Sequence, residues 1–104
     1  MTTASRQSTI AVQVTFMGEI QTLVGQREVR LDLPEGATVT ALLASLSNSY
    51  GDDFASHVFS APGKLKENLL IFVDGENIKG RGGLAAPLGN SEVEVLMVHM
   101  FAGG

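Results

Sequence analysis

The chain contains no cysteine. Disulfides, thiolate metal sites, a cysteine nucleophile and a persulfide held on a side chain are therefore all excluded. Tryptophan is absent as well, and charged residues make up only 17% of a sequence that is 44% hydrophobic. That balance argues against a wholly disordered protein. No uninterrupted apolar run reaches the roughly 18–20 residues that a membrane helix needs. The nearest, Val95 to Ala102, is short and contains His99. Positive charge is also scarce: seven Lys and Arg against eleven Asp and Glu leave a formal charge of -4. Such a surface disfavours a general phosphate-backbone binder, so neither nucleic acid nor a membrane is an expected partner. The 104 residues suffice for one small core, at roughly 100–200 residues per domain.

Met1 to Ser8 is polar and has no apolar h-region, so residues 1–8 are read as a loose arm of a cytoplasmic protein. From Ile10 the pattern becomes strict alternation, with Ile10, Val12, Val14 and Phe16 on one side of a half-buried strand. Val29, Leu31 and Leu33 alternate in the same way, which predicts a hairpin closed by a loop from about Gly18 to Gly25. Pro34-Glu35-Gly36 stops the second strand, and Thr38 is placed to cap a helix over about Val39 to Tyr50. Val39, Leu42, Leu43 and Leu46 recur there at helical spacing, and Gly51 stands where a left-handed C-terminal cap is needed. Between Asp52 and Asn68 the pattern is weak; Phe54, Val58 and Phe59 are expected to form a short apolar turn before the loop at Pro62-Gly63. Leu69 to Val73 reads as a strand, with a turn at Asp74-Gly75 and a brief partner at Asn77 to Lys79. The last strand runs from about Glu92 to His99. Few strands and one main helix imply an α+β domain over residues 9–98, a mixed sheet of four to five strands with the helix packed on one face.

The final Gly103-Gly104 pair is the most informative feature. At about 7% glycine, a terminal pair arises by chance roughly once in 200 chains. Two residues without Cβ can enter a narrow cleft and leave the terminal carbonyl open, which suits a carboxylate that another enzyme must reach. Residues 99–104 are read as an extended tail, spanning roughly 20 Å at about 3.3–3.6 Å per residue. On the last strand Val93, Val95 and Met97 form the inward set, while the outward set turns from Glu92 and Glu94 to Leu96, Val98 and Met100. Leu70 and Phe72 are expected to join them, and Phe101 follows in the tail. An apolar patch on the uncovered face of a sheet marks a partner surface.

These features resemble one family, the ubiquitin-like sulfur carriers of the MoaD/ThiS group, which have the β-grasp fold. The resemblance rests on Val14-Thr15-Phe16, Leu23-Val24-Gly25, Pro34-Glu35-Gly36-Ala37-Thr38-Val39 with Leu42-Leu43, Ile71-Phe72-Val73-Asp74-Gly75-Glu76 and the closing Gly103-Gly104. The first blocks are similar to the small subunit of molybdopterin synthase. Pro62-Gly63-Lys64-Leu65 and Gly82-Gly83-Leu84-Ala85 are similar to the carrier of a cysteine-synthesis pathway. Two departures from the family are His99-Met100-Phe101-Ala102, where prolines are common, and Gly89-Asn90-Ser91 before the last strand. The resemblance implies that the chain binds no cofactor and is not itself an enzyme. A ubiquitin-activator-like adenylyltransferase would use ATP and Mg to adenylate Gly104, and sulfur from a persulfide donor would replace AMP. The resulting thiocarboxylate would then serve a sulfur-accepting enzyme, such as a molybdopterin synthase large subunit or a cysteine synthase. Molybdopterin synthesis is the expected pathway, with cysteine or thiamine synthesis as alternatives.

Other residues carry weaker signals. His57 and His99 show no ligand spacing, so no metal site is expected, and His99 is read as seating the tail. Asp52-Asp53 is a polar helix end, Gly80-Arg81-Gly82-Gly83 lacks a phosphate-loop pattern, and Lys79 and Arg81 are loop charges able to meet an acidic partner. Two competing functions stay open: a protein modifier joined through Gly104 to lysines, and a non-covalent binding subunit for which the tail is incidental.

Overall fold

Alternation in the sequence becomes alternation of burial in the first strand, β1 (Thr9–Gly18), where Ile10, Val12, Val14 and Phe16 are fully buried. The computed structural model describes residues 9–89 and 91–99. Strand β2 (Glu28–Pro34) pairs antiparallel with β1, setting Val29 opposite Val14 and Leu33 opposite Ile10. The connection between them is not the plain loop expected. Glu19–Val24 forms a helix, α1, with Ile20 buried. Its six residues are under two turns, too short for a 3.6-residue period to show in the sequence.

Helix α2 occupies Val39–Tyr50, the expected span, and buries Val39, Leu42, Leu43 and Leu46. Its start differs from expectation, because the Thr38 side chain makes no capping bond. Instead the Val39 amide donates to the Ala86 carbonyl at 3.0 Å, and the Thr40 hydroxyl donates to the Leu84 carbonyl at 2.9 Å. A bridge between Thr38 and Pro87 lays this distant segment across the helix start, so a backbone carbonyl does the work of a side-chain cap. At the other end Gly51 takes φ 86°, ψ -167°, a corner open essentially to glycine alone and not the left-handed helical cap expected. That corner turns the chain straight into a second helix, α3 (Asp52–Val58), where the sequence suggested only an apolar turn. Phe54 of α3 is fully buried, its ring edge-on to Phe16 at 6.4 Å and 5.9 Å from Tyr50. A two-stranded ribbon follows, β3 (Phe59–Ala61) with β4 (Lys64–Leu65).

Strand β5 (Leu69–Val73) turns through Asp74-Gly75 into β6 (Glu76–Asn77), setting Val73 opposite Glu76. The Asp74 amide donates to the Glu94 carbonyl at 2.8 Å, and its carboxylate accepts the Glu94 amide at 3.0 Å. This fixes the turn against the last strand, β7 (Glu92–His99). Lys79, expected in the short partner strand, lies instead in a 3-10 turn, Ile78–Gly80, and a second such turn spans Gly83–Ala85. β7 runs parallel to β1 and antiparallel to β5, giving the sheet order β2-β1-β7-β5-β6. The five-stranded mixed sheet and the buried residues of all three helices share a single core. β7 includes His99, one residue past the domain end read from the sequence.

Candidate functional site

Because β7 lies between β1 and β5, its outward residues have neighbours on both sides. Leu96 stands between Thr15 and Phe72, and Val98 between Met17 and Leu70. Four of the expected partner residues, Leu70, Phe72, Leu96 and Val98, are thus brought into one half-buried cluster. Met17 extends it and is 48% exposed, the one large hydrophobic residue so exposed among those described. The sequence reading left Met17 out. It follows Phe16, so strand parity alone assigns it to the outer face, but only the parallel pairing of β1 with β7 sets it beside Val98. Thr15, Phe72, Gly75, Glu94 and Leu96 line a shallow depression of about 400 Å³ over the cluster. Further back along β7 the lining turns polar: Gln13, Arg30, Asp74, Glu92 and Glu94 surround a second depression of about 270 Å³. The outer face therefore grades from acidic and polar at the start of β7 to apolar at its end, nearest the C-terminus. An apolar cluster with a charged border is the arrangement of a protein docking surface.

The inward side of the same strand end is unusual. His99 is only 7% exposed, beside α1 and α3. Its Nδ1 lies 3.4 Å from Glu19 Oε1, yet neither ring nitrogen has a hydrogen-bond partner among the described residues. The His57 ring stands edge-on at 6.0 Å. Burial lowers the His99 pKa below its ordinary 6.5; the Glu19 charge opposes this, while His57 and Lys66 add to it. The two histidines that the sequence could not connect are thus neighbours, but no three His, Asp or Glu side chains among the described residues are grouped to hold a metal ion. His57 Nδ1 is 2.8 Å from the Asp53 carbonyl, so Asp53 serves the helix through its backbone. Arg81 pairs with Glu76 at 3.0 Å, within the chain. Met100, Phe101, Gly103 and Gly104 lie outside the described residues.

Residues 14–104 match the ThiS family, nearly the whole chain and through its last glycine. The chain belongs to the ThiS family. Solved structures similar to it include SAMP1 from Haloferax volcanii, with 22% identity, 90% of this chain and 99% of that one covered, and a TM-score of 0.76. CysO from Mycobacterium tuberculosis shares 25% identity over 86% of this chain and 99% of its own, with a TM-score of 0.69. A putative molybdopterin converting factor subunit 1 from Pyrococcus furiosus shares 21% identity over 88% and 99%, with a TM-score of 0.68. No curated protein sequence matches the chain. The fold is the ubiquitin-like β-grasp, and ThiS-family members are small carrier or modifier proteins rather than enzymes. No helix among the described residues is long and apolar enough to cross a membrane.

Proposed function

We propose that this ThiS-family protein is a sulfur carrier whose reactive group is its own terminal carboxylate on Gly104. The observation that carries the reading is the family match reaching Gly104, with Gly103-Gly104 intact and no cysteine anywhere in the chain. A carboxylate is a poor electrophile and needs activation. In the proposed sequence the Gly104 carboxylate attacks the α-phosphorus of Mg-bound ATP on an adenylyltransferase, and pyrophosphate leaves. A persulfide sulfur then attacks the acyl carbon and AMP departs. A thiol then attacks the donor-side sulfur of the remaining S–S bond, forming a disulfide with the donor and releasing the thiocarboxylate. This chain supplies the acyl group and a surface to be held by, and its partner supplies the catalysis.

In this reading the Leu70, Phe72, Leu96, Val98 and Met17 cluster docks first the adenylyltransferase and then the sulfur-accepting enzyme, and Met100 and Phe101 are assigned to the same contact from the sequence. One surface serving two partners favours the flexible thioether of Met17. The acceptor we assign is an enzyme of molybdopterin synthesis, with cysteine or thiamine synthesis as the alternatives. Intact-mass analysis of protein made in a cell holding its own activating enzyme tests the carrier role. Replacement of one oxygen by sulfur, localised to Gly104, is expected; its absence under every sulfur supply refutes the carrier. A bare Gly-Gly end also suits the second reading, a modifier joined to lysines. That reading requires higher-mass conjugates that disappear when Gly104 is deleted.

A further inference from the structure

We propose that His99 is a positioning residue for the reactive terminus: its neutral imidazole, seated between α1 and α3, pins the end of β7, and protonation unseats it. This deepens the carrier reading, because residues 100–104 continue directly from this seat. The argument starts from two independent features of one spot. The first is the backbone. Gly18, at the end of β1, is paired with His99 and approaches so closely that a Cβ there would lie 2.3 Å from the His99 carbonyl oxygen. On the opposite side, Leu69 of β5 is paired with His99. The backbone at residue 99 is therefore held from both neighbouring strands.

The second feature is the side chain. A histidine only 7% exposed normally satisfies at least one ring nitrogen, and here neither makes a hydrogen bond among the described residues, with Glu19 Oε1 standing 3.4 Å from Nδ1. Nothing in the core requires an imidazole at this position, and an apolar residue would fill it without an unsatisfied atom. What distinguishes imidazole is that it titrates near neutral pH. The groups facing it are Glu19 from α1, His57 from α3 and Lys66 from the segment before β5. Glu19 alone favours the charged form, and at 71% side-chain exposure its charge is largely screened by water. Burial, His57 and Lys66 all oppose protonation. A proton taken up by His99 therefore favours states in which the ring leaves its seat for water. The last turn of pairing between β7 and its neighbours is then lost with it, and the anchored root of the terminus gains freedom.

The test uses the full-length chain labelled with 15N and 13C, followed by NMR from about pH 8 to about pH 5, the interval in which histidine titrates. The His99 ring is expected to titrate below 6.5. Over the same interval the amide protection of Val98 and His99, corrected for intrinsic exchange, should fall by about tenfold or more, while that of Val12 and Val14 stays constant. His99→Gln, which cannot take up a proton, should abolish this pH step. Glu19→Gln and His57→Asn should move the His99 midpoint in opposite directions, downward and upward. They also keep the proposal testable if the His99 variant fails to fold. A His99 that titrates at 6.5 or above, a protection loss that persists in His99→Gln, or midpoints unmoved by both neighbours would overturn it. No sulfur chemistry enters these readouts, so an oxygen-only Gly104 sinks the carrier role and leaves this result standing, and the converse holds equally.

Discussion

Gly18→Ala tests the construction of the tail root most directly, because the structure supplies its own control. Gly18 adopts φ 82°, ψ -150°, and Gly51 adopts φ 86°, ψ -167°. Both lie in the region open essentially to glycine alone, where another residue costs about 1–3 kcal/mol. Both replacements also stiffen the unfolded chain, which offsets about 0.4–1 kcal/mol of that cost. The two sites differ in what a new methyl meets. At Gly51 nothing lies within 4 Å, whereas at Gly18 the His99 carbonyl oxygen lies 2.3 Å away. Backbone atoms cannot rotate aside, so β1 and β7 must separate at their ends. That separation forfeits at least one ladder hydrogen bond, about 1 kcal/mol, and wets the His99 seat. We expect Gly51→Ala to lower stability by about 1–2 kcal/mol and Gly18→Ala by about 2–4 kcal/mol. At about 4–8 °C per kcal/mol for a domain of this size, calorimetric melting resolves the two easily. Equal losses at the two positions would refute the close approach of β1 to the end of β7.

The remaining predictions address the docking face, the terminus, the core and pH. Phe72→Asp or Leu96→Asp should leave the fold intact by circular dichroism yet weaken binding to the activating enzyme by about 2 kcal/mol or more, the cost typical of a central interface residue; unchanged affinity in calorimetric titration removes the cluster from the mechanism. Gly104→Ala should slow adenylation, read as pyrophosphate release, with no change in melting temperature, since every buried core residue among those described lies between Ile10 and Met97. Phe54→Ala should cost about 3–5 kcal/mol in urea denaturation, because a fully buried ring against Phe16 and Tyr50 leaves a cavity. The lowered His99 pKa means that the unfolded chain binds the proton first, so its contribution to stability, present above pH 6.5, is lost as pH falls toward the folded value. Melting wild type and His99→Gln across that interval should show wild type losing stability on acidification relative to His99→Gln, which lacks this step.

Strands β1, β2, β5 and β7 and helix α2 were legible because each is long enough to repeat its own period against one core. Leu42, Leu43 and Leu46 can be placed from spacing alone, and so can Val93, Val95 and Met97. Helices α1 and α3 were hidden for a different reason. Each is six or seven residues long and buries one or two side chains, Ile20 in one and Phe54 with Val58 in the other, so no period accumulates. Their helical state comes from packing on the end of the sheet rather than from local pattern. Thr38 shows the opposite error. Its type and position fit a cap, but residues 84–88, over forty positions away, occupy the site with backbone carbonyls. At the candidate site, strand parity places Leu70, Phe72, Leu96 and Val98 on one face. Their grouping depends on which strands are neighbours, as does the addition of Met17, and single-sequence alternation does not carry that information. The proximity of His57 to His99 was likewise out of reach, since it requires α3.

The strand that carries the terminus is read differently on its two sides. Val98 points to the docking cluster and His99, the next residue, to the seat between α1 and α3, because successive side chains on a strand face opposite ways. A partner that covers Val98, Met17 and Leu70 therefore presses on the same peptide units whose other side holds the imidazole. Such a contact favours the paired strand end and, through it, the seated neutral ring. Linkage makes the converse hold: a proton on His99 weakens any partner that needs the strand end paired. Gly104, whose carboxylate is activated in the proposed function, is only five residues beyond that point in the sequence. In the proposed function, a carrier whose chemistry is supplied by its partner can in this way still influence when its terminus is presented, by coupling the surface proposed for docking to the residue that precedes the tail.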